Sequence, residues 1–200
     1  MELHTFPLSP NGKRVRLAGA EIGMPLEVRN LDFLKGDNRT PGYLALNPTG
    51  KAPTLTDGDF ALWESSAILW YLAQAKANPL WPDDVRARAD TLRWMFFCAC
   101  HVDPYFTTLV VERFQKARRG EPPDEAQVAA AYRQLERFLG VLDRELAGRD
   151  YVAGGFGLGD IVLGCTIEVS PLVQYDLAPY PNIAAWLKRL QSRPHWFKTV

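Results

Sequence analysis

A small α/β domain followed by an all-helical one is the fold class this sequence predicts. Three observations carry that expectation. Short β-type runs alternate with helical patterns up to about residue 80, and helical periodicity dominates beyond it. Asp57-Gly58-Asp59 separates two short apolar runs, a strong hairpin signal because Asp-Gly tolerates the left-handed turn conformation. Ala77-Asn78-Pro79-Leu80-Trp81-Pro82 carries two prolines, which break any continuous helix and mark a linker.

Each element follows in order. Glu2–Phe6 reads as a short strand. Asn11–Ile22 places Val15, Leu17, Ala18 and Ile22 at helical spacing and stops at Gly23. Leu26–Leu31 alternates as a half-buried strand does, which completes a β-α-β opening. Pro53–Thr56 and Phe60–Trp63 form the hairpin, and Glu64–Lys76 is a helix with Ile68, Leu69 and Leu72 on one face. The order β-α-β, connection, β-β-α is the thioredoxin-like arrangement. It spans residues 1–77; the helical domain spans 84–200. There a long helix runs from Asp83 to about Gly120, bent at Pro104. Asp124–Ala147 follows, with Val128, Ala131, Leu135, Phe138 and Leu142 at steps of three and four. Leu158–Gln174 is buried nearly all round, and Ile183–Gln191 turns Trp186, Leu187 and Leu190 inward.

The bulk numbers exclude several classes. With 200 residues and 47% hydrophobic content, a packed core is expected and disorder is not. Lys+Arg and Asp+Glu both number 23, so the balance recommends neither nucleic acid nor a membrane as a partner, and it tolerates self-association. The opening MELHTFPLSPNGK has no cationic stretch leading into an apolar one, so no secretory leader is expected. The longest apolar run, Trp94–Cys100, is too short to span a bilayer. Three cysteines, an odd number, suggest reduced thiols in a cytoplasmic protein.

Three segments of the front domain offer chemistry. Ser9-Pro10-Asn11-Gly12-Lys13-Arg14 opens the first helix, whose free N–H groups and positive dipole end favour an anion; the same residues also make an ordinary helix start. In Asn47-Pro48-Thr49-Gly50-Lys51-Ala52-Pro53, a cis proline opening a strand would leave the main chain of Ala52 free to pair with a peptide, with Lys51 meeting a carboxylate. An ordinary turn and edge strand is the competing reading. Glu64-Ser65-Ser66 begins the next helix, where Ser65 suits an α-carboxylate and Glu64 an α-amino group; simple capping competes here too. All three lie in one small domain, in the order that a single tripeptide would require.

The segments SPNGKRVRL, NPTGKAPTL and DGDFALWESSAILWYLA resemble the N-terminal domain of glutathione S-transferases, especially the bacterial theta-like and nu-like kinds. Tyr151-Val-Ala-Gly, Leu158-Gly-Asp160-Ile and Tyr180-Pro-Asn-Ile-Ala-Ala-Trp186-Leu are similar to the family's helical domain, so the resemblance covers essentially the whole chain. It implies a glutathione transferase that stabilises the glutathione thiolate and conjugates it to a small apolar electrophile, in detoxification, as a homodimer. Ser9 would be the catalytic serine and Asn11 its assistant. Asn38, Arg39, Lys51, Ala52, Pro53, Glu64 and Ser65 would contact glutathione, with Pro53 cis. Leu8, Tyr105 and Phe106 would line the second-substrate pocket. Lowering a thiol pKa from ~8.5 by about two units requires roughly 2.7 kcal/mol. A hydroxyl donor adds ~1.5–3 kcal/mol and a helix terminus ~0.3–1 kcal/mol.

The resemblance also carries departures. Gly12 stands where many bacterial relatives have Cys, and the front domain has no cysteine, which argues against a protein-thiol mechanism. Phe6 replaces the tyrosine of other classes. Gly157 replaces the usual Ser/Thr cap before Asp160, the buried acid expected to cap a central helix. Cys98, Cys100 and His101 do not face one another at helical spacing, so no metal site is expected. Arg113, Lys116, Arg118 and Arg119 read as a solvated helix end. Two alternatives stay open: glutathione-dependent disulfide reduction of the nu-like kind, and a non-catalytic transferase-like binding module.

Overall fold

The computed structural model describes residues 1–75 and 77–198. It divides into two compact units, one of Met1–Pro82 with the C-terminal segment from Pro194, the other of Asp83–Arg193. The front unit runs β1 (Glu2–Thr5), α1 (Pro10–Glu21), β2 (Glu27–Asn30), a 3-10 turn (Asp37–Arg39), α2 (Pro41–Leu46), β3 (Thr54–Asp57), β4 (Phe60–Trp63) and α3 (Ser65–Ala75). Its four strands lie in the order β2-β1-β3-β4, with β1 parallel to β2 and antiparallel to β3. This is the thioredoxin-like arrangement.

Helices α1 and α3 pack together, burying Val15, Leu17, Ile68, Leu69 and Leu72 with Leu3 and Leu55 of the central strands. Gly58, at a φ of 61°, and Asp59 close the hairpin between the paired residues Asp57 and Phe60. The expected half-burial of β2 is corrected: all four of its residues are exposed. It is an edge strand, and Arg29 spends its charge on Glu2 at 3.0 Å and Glu27 at 2.7 Å, which blunts the open edge. The 3-10 turn and α2 were not anticipated. Lys76 of the expected third helix lies outside the described residues.

The helical domain was expected to run to residue 200, yet the chain from Pro194 groups with the front unit. Trp196 is wholly buried there. The Lys13 ammonium of α1 sits 5.0 Å from its ring centre and 5.5 Å from that of Phe197, a cation–π geometry.

The second unit holds α4 (Val85–Phe97), α5 (Asp103–Leu109), α6 (Lys116–Arg118), α7 (Glu125–Glu145), α8 (Leu158–Ile167) and α9 (Pro181–Gln191). The first three form one helical run, Val85–Arg118, widened by π-type turns at Cys98–Val102 and Val110–Gln115. The first wide turn lies just before Pro104, which occupies the opening turn of α5. Among the described residues this run alone has the length and apolarity to cross a membrane. It buries Trp94, Cys98, Val102, Phe106 and Leu109 in the unit's core, with α4 on α8 and α5 on α7. Helix α8 is buried at every residue. It ends at Ile167, short of the expected Gln174, and Pro171 follows in a succession of turns.

Candidate functional site

The strand register explains how three distant segments meet. His4 pairs with Thr54, and Thr54 pairs with Trp63. The C-terminal end of β1, the N-terminal end of β3 and the C-terminal end of β4 therefore lie side by side. From that end of the sheet depart Ser9 beyond β1, Pro53 before β3, and Glu64-Ser65 after β4.

Ser9 caps α1 and is 3% exposed. Its Oγ accepts from the Gly12 N–H at 3.0 Å. A hydroxyl engaged as acceptor keeps its proton for a further acceptor, and the N-terminus of α1 adds positive potential at the same place. Gly12 is required there: a β-carbon would overlap Thr5 Oγ1 and lie 3.0 Å from the Thr5 β-carbon.

Asn11 reaches across to α3, where its Oδ1 lies 3.4 Å from Ser65 Oγ. The Arg14 guanidinium donates to that same oxygen at 3.2 Å. Arg14 is 4% exposed and was not singled out by the sequence reading; an arginine within the apolar stripe of α1 was the available signal. Glu64 is exposed, while Ser65 beside it is buried. Glu64 adopts a φ of 72°, a left-handed conformation that is uncommon for residues other than Gly, Asn and Asp. Its carbonyl begins α3 by accepting from the Ile68 N–H at 3.0 Å.

The loop before β3 carries the Ala52-Pro53 cis bond. Strand pairing begins only at Thr54, so Ala52 lies outside the ladder. Lys51 and Arg39 are exposed, and a guanidinium nitrogen of Arg39 lies 3.4 Å from where a Gly50 β-carbon would be. These two cations gather beside one loop. Asn38 is different: its Nδ2 donates to the Gly50 carbonyl at 2.7 Å and the residue is buried. It fastens the loop through that bond.

Of the residues expected to line a second pocket, Leu8 is strongly exposed in the front unit. Tyr105, in the helical unit, is partly exposed and stacks on Phe138 with centroids 6.3 Å apart. Phe106 is 1% exposed and meets Tyr175 edge-on at 5.6 Å. It is a core residue, because one helical step of about 100° carries it from the face that Tyr105 presents. Among the described residues no group of His, Cys, Asp and Glu could hold a metal ion.

The front unit thus gathers at one end of its sheet a capped hydroxyl, an unladdered peptide segment flanked by cations, and a helix start with Arg14 beside it. Such a set can hold an elongated anionic peptide and stabilise a negative charge near Ser9. Comparison with known proteins identifies the family. The family model described as Glutathione S-transferase, N-terminal domain, matches residues 3–80, and that of its C-terminal domain matches residues 92–194. Glutathione S-transferase 3 of Zea mays is 33% identical over 207 residues, covering 100% of this chain and 93% of that protein. A crystal structure of a possible glutathione S-transferase from Rhodopseudomonas palustris has 32% identity and a TM-score of 0.89, with 99% of this chain and 89% of that one covered. A glutathione transferase family member from Pseudomonas fluorescens, with two glutathione bound, has 29% identity and a TM-score of 0.87 over 99% of this chain and 91% of its own. Two family models that together span most of the chain, on a fold that converges these segments, leave one conclusion: the chain belongs to the glutathione S-transferase family.

Proposed function

We propose that this chain is a glutathione transferase of theta-like or nu-like character. It holds glutathione along the end of the front sheet and presents its thiolate to a small apolar electrophile. The observation that carries the reading is the register of β1, β3 and β4, which aligns Ser9, Ala52-Pro53 and Glu64-Ser65. Ser9 donates its free proton to the sulfur, with Asn11 assisting. Lys51 and Arg39 attract the glycyl carboxylate. Ala52 pairs with the peptide main chain. Ser65 and Arg14 receive the γ-glutamyl carboxylate at the start of α3, and Glu64 accepts from the α-amino group. Serine is not the nucleophile; the sulfur of the bound peptide is, so the protein contributes orientation and a lowered thiol pKa. In this reading the front unit binds glutathione, and Tyr105 of the helical unit faces the electrophile. Phe106 has no part in it.

Ser9→Ala tests the assignment. The pH midpoint of conjugation should rise by about one unit and the rate at neutral pH should fall several-fold, with glutathione affinity nearly intact. An unchanged pH–rate profile rejects Ser9 as the thiolate donor.

A second reading is favoured by the Pseudomonas fluorescens relative with two glutathione bound. In that reading, glutathione-dependent disulfide reduction by this chain, two glutathione thiols become one disulfide while a substrate disulfide becomes two thiols. Turnover of a model disulfide against conjugation of a model electrophile separates the two. A non-catalytic binding module would retain glutathione and show neither activity. Self-association as a homodimer is supported by large apolar side chains left exposed on each unit, Phe60, Trp63 and Trp70 on the front one and Phe96 on the helical one. A cytoplasmic setting fits the odd number of cysteines, Cys98, Cys100 and Cys165.

A further inference from the structure

The loop that carries Lys51 and Ala52 is held by a buried polar network reaching from α2. The Tyr43 hydroxyl donates to the Lys51 carbonyl at 2.5 Å and lies 2.9 Å from Thr54 Oγ1. Asn47 donates its Nδ2–H groups to the same carbonyl at 2.9 Å and to Thr54 Oγ1 at 3.0 Å. Its Oδ1 accepts from the Thr49 N–H at 3.1 Å and the Thr49 hydroxyl at 2.6 Å. The Lys51 N–H donates to Thr49 Oγ1 at 3.2 Å. Tyr43 and Asn47 are both buried.

Two side chains thus hold one carbonyl toward the interior. The peptide unit joining Lys51 to Ala52 is planar and trans, so its C=O and N–H point in opposite directions. Fixing the Lys51 carbonyl inward turns the Ala52 N–H outward. That is the orientation an added peptide strand needs, and the donor is set before any ligand arrives, so little ordering remains to be done on binding. We infer that Tyr43, seconded by Asn47, is a positioning residue for glutathione: it locks the Lys51–Ala52 peptide plane so that the Ala52 N–H meets the tripeptide's main chain. The inference rests on the glutathione reading above. Burial holds the Tyr43 phenol above its ordinary pKa, so the hydroxyl is a donor at neutral pH.

Tyr43→Phe removes the hydroxyl and keeps the ring that fills the core. Asn47→Asp keeps the acceptor for Thr49 and removes the donor to Lys51. Binding of S-methylglutathione by calorimetry reads the peptide contact without the thiol, and steady-state conjugation reads the rest. Each variant should weaken S-methylglutathione about five- to tenfold, the size of one lost hydrogen bond. The KM for glutathione should rise by the same factor, with kcat and the pH midpoint unchanged. Affinity within twofold of the unaltered chain in both variants overturns the proposal, as does a fall in kcat with a shifted midpoint and constant KM. Absence of S-methylglutathione binding by the unaltered chain removes the glutathione reading itself, and this proposal with it.

Discussion

At the start of α8 the chain supplies its own anion. Asp160 accepts from the Gly157 N–H at 3.0 Å, the Val152 N–H at 3.1 Å and the Trp186 indole at 2.8 Å, and it is completely buried. At the start of α3 the chain does otherwise. The acid there, Glu64, stands exposed in a left-handed conformation, and donors gather beside it, the Ser65 hydroxyl and the Arg14 guanidinium. Both ends present the same positive dipole and unmet N–H groups. One is closed by the fold and serves stability. In the proposed reading, the other receives an anion brought by a ligand. A helix start marks a binding site only when the chain does not complete it.

The sharpest way to break this contrast is to open α8. Asp160→Ala strands three buried donors and should cost about 3–5 kcal/mol in urea unfolding; a loss below about 1 kcal/mol would mean that the carboxylate is not what closes the helix. The same group has a pH signature. Burial raises its pKa to about 6, against the lowering pull of the indole and main-chain donors. Between the unfolded value near ~3.9 and about 6, the folded protein holds a proton that the unfolded chain lacks. Its contribution is therefore fullest at low pH and declines by about 3 kcal/mol as pH rises through 6. The difference between the unaltered chain and Asp160→Asn across pH 4 to 7 isolates it.

The next largest effect concerns α1. Gly12→Ala drives a methyl into Thr5 Oγ1 and should destabilise by about 2–3 kcal/mol. Adding Thr5→Ala should recover part of that loss, a non-additive pair in a double-mutant cycle. Simple additivity would show that the crowding lies elsewhere.

The smallest effect sharpens the comparison most. Glu64→Gly relieves a left-handed conformation worth ~1–2 kcal/mol, offset by ~0.5–1 kcal/mol of glycine entropy. Thermal unfolding should show a gain of under about 1 kcal/mol while glutathione affinity falls. A loss on both measures would make Glu64 a structural residue.

Much of this was legible in the residues themselves. Asp57-Gly58 marked the hairpin, Ile68, Leu69 and Leu72 the buried face of α3, and Ser9 and Glu64-Ser65 the helix starts. What escaped depends on neighbours distant in sequence. β2 alternates like a half-buried strand, but its place at the sheet edge leaves it exposed. Pro104 signalled a bend, and the chain absorbs it with a wider turn. Asn38 has the polarity of a ligand contact, yet Gly50 claims its amide. Arg14 gains its role only because α1 lies on α3. The short α2 was missed although Thr40-Pro41 is a sound cap and first turn.

The placement of Trp196 against Lys13 has a consequence for how the protein is made. The front unit receives one of its fully enclosed aromatic rings only after the whole helical unit has been translated. Its packing stays incomplete until more than a hundred residues of helical sequence have followed, a sequence-distant closure of the kind that delays folding. A fragment ending at Pro82 would lose the contact between this ring and Lys13 of α1.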